Sequence, residues 1–221
     1  MRKNARTEGG RQMTDIRFSD AALLEDAARF FDAYAAVPAS RREKVDRLRS
    51  GAAKRLSLCA GKLLADALRD RGVDASDMLL AEGPYGKPWL PRRPDVQFSL
   101  SHSGTRAMCV TADVPVGCDI QQITPRSLRV AERFFTAEER RCIFAPADES
   151  EQRALFFRIW TLKESFIKCV GLGLSLPLES FSVFPEGDRI VLRQTYDDGR
   201  YAFTEPDAGA GYCSAVCLRE A

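Results

Sequence analysis

Projected at 100° per residue, Leu155, Phe156, Ile159, Leu162, Phe166, Ile167 and Val170 fall on one apolar stripe. The stripe predicts a helix over about 148–170 with one face in a core. Earlier, the Ala- and Leu-rich stretch from Asp20 to Ala36 predicts helix, broken at Val37-Pro38-Ala39-Ser40. Ser40 and Glu43 have the spacing of a capping box, and helix is expected from there to about Arg71, interrupted near Ser50-Gly51. GPYGKPWLPRRPD (83–95) is dense in Gly and Pro and predicts loop. Val96, Phe98 and Leu100 alternate with polar residues, which predicts a half-buried strand over 96–101. RAMCVTA (106–112) and VGCDI (116–120) predict strands around a turn at Asp113 to Pro115. Helix is expected again at about 126–134 and after Thr136. A second β region opens at LPLESFSVF (176–184) and continues through RIVLR, RYAFT and YCSAVCL. Helices, strands, helices, strands: the order predicts an α+β fold whose two halves meet near residue 115. The expected division is a disordered extension at 1–13, an N-terminal half at 14–115 and a C-terminal half at 116–221.

Composition narrows the function without naming it. A chain of 221 residues with 45% apolar content has ample length for a core. A net charge of +2 gives no overall reason to expect nucleic acid. RREKVDRLR (41–49) is a local basic cluster, either a solvated helix face or a site for phosphates. The seven cysteines are odd in number, scattered and mostly inside apolar runs, as reduced core thiols of a cytoplasmic protein are. Cys213 and Cys217 lie in an alternating strand pattern, not a metal knuckle. No run reaches the roughly 18–20 apolar residues of a membrane span. The first 12 residues are polar and basic and do not read as a signal peptide; Met13 is a candidate natural start.

Several polar residues stand where the pattern asks for apolar ones. Lys163 falls inside the stripe of the 148–170 helix and Glu164 on its edge, where burial is expensive. A cation would give Glu164 a partner. Asp119 interrupts an apolar strand, as a turn cap or as a metal-binding carboxylate; Gln121, two residues on, shares its face. Lys168 follows Glu164 at helical spacing, as an ordinary ion pair or as a cation aimed at phosphate. His102, the chain's one histidine, lies in FSLSHSG (98–104) beside Ser101; the cluster is either structural or suited to an anion. It makes a poor hydrolase triad, because adjacent side chains on an extended chain point apart. Thr136 and Glu139 form a capping box, which competes with any catalytic use of Glu139. Lys87 sits in the YGKPWLP loop, solvated or within reach of a phosphate. No zinc spacing, Walker loop or HExxH is present.

YGKPWLP, FSLSHSG, VGCDI, RFFTAEE, WTLKESFIK and GLGLSLPLESFSV occur in this order between about residues 40 and 217. Each is weak alone. The ordered set resembles the 4′-phosphopantetheinyl transferases of the larger, monomeric, surfactin-synthetase-activating type. The resemblance implies a pseudo-dimer of two similar halves with the active site between them. It implies Mg2+-dependent transfer of the 4′-phosphopantetheine arm of coenzyme A to a serine of an apo acyl, peptidyl or aryl carrier protein, releasing adenosine 3′,5′-bisphosphate. By position, Asp119, Glu164 and Gln121 are implied as metal ligands, and Glu164, Lys168 and Glu139 as catalytic. Arg41, Lys44, Arg55, Lys87, Ser101 and His102 are implied as coenzyme A contacts. Many relatives carry a third acid where this chain has Gln121, which ligates without charge. A catalytically weakened coenzyme A- or carrier-binding homologue is the competing expectation; membrane and nucleic-acid partners are not expected.

Overall fold

The structure is a computed structural model and describes residues 2–5, 13–125 and 128–220. The chain divides into two compact units, Met1–Gly83 with Pro88–Pro115, and Pro84–Lys87 with Val116–Ala221.

The first unit holds strands β1 (Arg2–Ala5) and β2 (Thr14–Asp20), helices α1 (Ala27–Ala36), α2 (Ala39–Arg47) and α3 (Gly51–Asp70), and strands β3 (Ala81–Glu82), β4 (Pro88–Trp89), β5 (Gln97–Ser103) and β6 (Arg106–Ala112). An antiparallel sheet in the order β1-β2-β6-β5 packs its apolar face on α3. Leu64, Leu68, Phe98 and Cys109 share that core. Ser50 caps α3, which accounts for the expected break before Gly51.

Three local expectations need correction, and one strand carries no signal in the pattern. Within the extension expected to be disordered, Arg2–Ala5 pairs with β2. β2 itself escaped the pattern because Arg17 occupies a buried position of the strand, held there by Asp15 and Asp70. Ser40 caps nothing: α2 starts one residue earlier, behind Pro38, with no side-chain cap. Pro88–Trp89 is not loop but a short strand pairing with Ala81–Glu82.

The second unit holds β7 (Val116–Gln122), α4 (Arg129–Phe134), α5 (Ala137–Ile143), α6 (Glu149–Val170), β8 (Ser182–Glu186), β9 (Arg189–Arg193), β10 (Tyr201–Thr204) and β11 (Tyr212–Arg219). β11 is the centre of an antiparallel sheet, β10-β11-β7, and α6 lies along β7 and β11. Leu162, Phe166 and Ile167 of the predicted stripe are buried against Ala215 and Cys217. Asp148 caps the start of α6 and Gly171, at φ 83°, ends it in the left-handed conformation glycine tolerates. The protein is thus α+β, with helices and antiparallel strands in both units. All seven cysteines are free thiols, five of them buried. Among the described residues no helix is long and apolar enough to cross a membrane.

Candidate active site

The second unit brings Asp119, Gln121, Glu164 and Lys168 together, and the approach depends on a glycine. A Cβ on Gly117 would lie 2.0 Å from the Ser165 carbonyl oxygen and 2.3 Å from the Cys169 nitrogen. The α6 backbone therefore rests directly on the β7 backbone. Asp119, two residues along the strand, is 1% exposed. Its Oδ1 accepts from Lys168 Nζ at 2.7 Å and its Oδ2 from Gln121 Nε2 at 3.0 Å. Burying the carboxylate is tolerable because both oxygens are hydrogen-bonded, one of them by a cation.

Glu164 is half-buried on the next turn of α6. Burial pushes its carboxyl pKa up, and the nearby Asp119 carboxylate pushes in the same direction; Lys168 opposes both. For Lys168, loss of water lowers the pKa, but Asp119, Cys118 and Glu164 together outweigh it and the net shift is upward. Two carboxylates this close to one another favour a cation, and their oxygens are hard donors. The Gln121 amide donates its Nε2 to Asp119, and its carbonyl oxygen is by type a neutral hard donor. Among the described residues no group of three or more His, Cys, Asp or Glu side chains is arranged to hold a metal. Two carboxylates and an amide are nevertheless the donor set Mg2+ uses when substrate phosphates supply the rest.

Lys163 and Glu139 form a different kind of site. Both side chains are 0% exposed and ion-paired at 2.5 Å. Lys163 Nζ also donates to the Phe181 carbonyl oxygen at 2.8 Å and lies 4.2 Å from the centre of the Phe181 ring. Burial drives its pKa down to about 8 against the pull of Glu139. Glu139 Oε1 additionally accepts from the Val183 backbone at 2.8 Å, and Oε2 closes the capping box on Thr136 N at 2.9 Å. The catalytic assignment of Glu139 is therefore corrected: its oxygens are committed to a cap, a strand and a buried lysine. Of the pair, only Lys163 stands out in the sequence, as a charge inside the apolar stripe of α6. Lys163 is ion-paired in the core.

In the first unit, Ser101 is buried and His102 exposed on successive positions of β5. The strand runs past the expected end at 101, through His102, to Ser103, and turns at Gly104, whose φ is 58°. Arg41 lies flat over α3: a Cβ on Gly61 would meet its Cγ at 2.7 Å and its Nε at 2.8 Å. Burial lowers the pKa of that guanidinium, and no side chain among the described residues accepts a hydrogen bond from it. Lys44 is exposed on α2, and Arg55 makes a long contact to Glu25 at 3.5 Å. Lys87 departs from expectation. Its ammonium is held by the carbonyls of Val116 and Cys169 instead of being displayed on a loop. The tight glycines, Gly117 and Gly61, were not anticipated, although an isolated glycine inside an apolar strand does signal close backbone approach.

The sequence profile of the 4′-phosphopantetheinyl transferase superfamily matches residues 115–217, which span β7 to β11. The chain is 38% identical over 172 residues to the 4′-phosphopantetheinyl transferase Sfp of Bacillus subtilis (strain 168), covering 70% of this chain and 72% of that protein. It is 34% identical over 198 residues to a second Bacillus subtilis 4′-phosphopantetheinyl transferase, covering 84% and 88%. The chain belongs to the 4′-phosphopantetheinyl transferase superfamily. The transferase is also 29% identical over 182 residues to the human L-aminoadipate-semialdehyde dehydrogenase-phosphopantetheinyl transferase, covering 72% of this chain and 58% of that protein. Members of the family carry phosphopantetheine from coenzyme A to carrier proteins, so this transferase is an enzyme of that class.

Proposed function

We propose that the transferase moves the 4′-phosphopantetheine arm of coenzyme A to the hydroxyl of a carrier-protein serine through the Asp119–Glu164–Lys168 cluster. The observation that carries the reading is Glu164, a half-buried carboxyl raised by burial and by Asp119, one helical turn from a lysine bonded to that same Asp119. Asp119 and Glu164, with the Gln121 carbonyl, would hold Mg2+. Bound there, the ion would supply charge neutralisation at the diphosphate. Glu164, or a water it orients, takes the serine proton. The serine oxygen forms a bond to the phosphorus that carries the pantetheine arm, and the bond from that phosphorus to adenosine 3′,5′-bisphosphate breaks. Lys168 stabilises charge on the leaving phosphate. In the first unit, Arg41 supports a role in binding coenzyme A phosphate, being desolvated with no carboxylate paired to it among the described residues; Lys44, Arg55, Ser101 and His102 are assigned with it. Seven free thiols fit a cytoplasmic, reducing setting, and the enzyme is proposed to act as a monomer.

The test is incubation with coenzyme A, Mg2+ and apo carrier proteins, read by intact mass. The expected result is a gain of one phosphopantetheine, lost in Glu164→Ala. Coenzyme A binding with no mass gain on any of several carriers would instead identify a binding homologue. Gln121→Glu adds a charge to the donor set and is expected to tighten Mg2+ in a metal titration. A titration unchanged from the parent would remove Gln121 from that set.

A further inference from the structure

Lys87 belongs to the short segment Pro84–Lys87 that clusters with the second unit. Its ammonium donates to the Val116 carbonyl oxygen at 3.0 Å and to that of Cys169 at 3.3 Å. Val116 is the first residue of β7. Cys169 is in the last turn of α6, where carbonyls have no partner inside the helix. The lysine stem runs past the end of the same helix, its Cδ 3.2 Å from where a Cβ on Gly171 would stand. One residue into β7, Gly117 brings the strand backbone against Ser165 and Cys169. Helix and strand thus touch at a glycine and are bridged, at that same end, by one ammonium. Three residues along β7 from Val116 is Asp119; Lys168 immediately precedes Cys169, and Glu164 stands about one turn earlier.

We propose that Lys87 is a positioning residue that locks the C-terminal end of α6 onto the start of β7 and so sets the spacing of Asp119 from Glu164 and Lys168. Two of its three N–H groups are given to neutral backbone carbonyls, which is what a structural clamp requires and an anion contact does not. Burial also lowers its pKa, against smaller opposing contributions from Cys169, Cys118 and Cys217. The clamp replaces the phosphate contact expected of Lys87, and it rests on the transferase reading given above.

Wild type, Lys87→Met and Lys87→Gln are compared by kcat at saturating coenzyme A and by the Kd for coenzyme A from calorimetry. Met removes every donor; Gln keeps an amide donor but no charge. Because small misplacements of reacting groups are costly, Lys87→Met is expected to lower kcat about 10- to 100-fold, with the Kd for coenzyme A within about threefold of wild type. Lys87→Gln is expected to recover part of kcat. A Kd weakened about tenfold or more in both variants, with kcat at saturation unchanged, would overturn the clamp and restore a charged phosphate contact. Hydrogen exchange separates this outcome from failure of the transferase reading. If wild type transfers nothing to any carrier, the clamp still predicts faster amide exchange at Val170 and Gly171 in both variants. Unchanged exchange there overturns it, and Lys87→Gln carries the measurement if Lys87→Met does not fold.

Discussion

An ammonium with no exposed surface persists only beside a compensating group, and Lys163 has Glu139, the Phe181 carbonyl and an aromatic face. Removing one partner leaves the other charge buried alone. Lys163→Met and Glu139→Gln are each expected to cost about 3–5 kcal/mol in urea unfolding. The double variant is expected to cost less than the sum of the two by about 1–3 kcal/mol, which a double-mutant cycle reads directly. Additive losses would mean that the two side chains act separately. At this scale the charged residues out of place in the pattern were legible as anomalies: Lys163, Glu164 and Asp119 all proved to have specific surroundings. Their partners were not legible. Which carboxylate meets Lys163 depends on α5 and α6 packing side by side, and no spacing within either helix encodes that. Arg17 escaped for the converse reason, since a charged residue in a buried strand position disguises the strand.

Among elements, the contact of α6 with β7 matters most to the site. Gly117→Ala would place a methyl 2.0 Å from the Ser165 carbonyl, where backbone and not a flexible side chain must give way. The helix would have to lift from the strand, and a loss of about 1–3 kcal/mol is expected, the usual range for overpacking a core. Transfer activity at saturating substrates should fall together with stability, because Asp119 and Lys168 stand on opposite sides of that contact. A Gly117→Ala variant with wild-type urea midpoint and wild-type rate would show that the helix can sit further out at no cost. The long elements were legible from their period: α6 runs from Glu149 to Val170, within a residue of the expected 148–170. The short ones were not. β3 and β4 are two residues each, too brief for any period.

For the molecule as a whole, the order of helices and strands was enough to give the α+β class, because alternation and 3.6-residue stripes separate cleanly in this chain. The two compact units each carry one of the two tryptophans. Trp160 stacks on Phe156 at 5.9 Å and lies 6.0 Å from Phe135, whereas Trp89 is 44% exposed. Emission from Trp160 is therefore expected to shift strongly to the red on unfolding and that from Trp89 only slightly, as Trp89→Phe and Trp160→Phe variants would separate. Lys163→Met should lower the midpoint reported by Trp160. An unmoved Trp160 midpoint would mean that the ion pair does not stabilise the unit in which it is buried.

The central place of β11 in its sheet has a consequence in time. Gln122 of β7 pairs with Tyr212 and Val116 with Leu218, so the strand bearing Asp119 finds its neighbour only after roughly ninety further residues have been made. At the usual pace of synthesis, about 5–20 residues per second, that is a wait of about 5–18 seconds. Throughout it, the hydrogen-bonding edge and the apolar side chains of Val116, Cys118 and Ile120 have no sheet to join. Each newly made chain passes through an interval in which the strand bearing Asp119 is an unpaired apolar edge open to aggregation, and the residues that end the hazard are among the last to emerge.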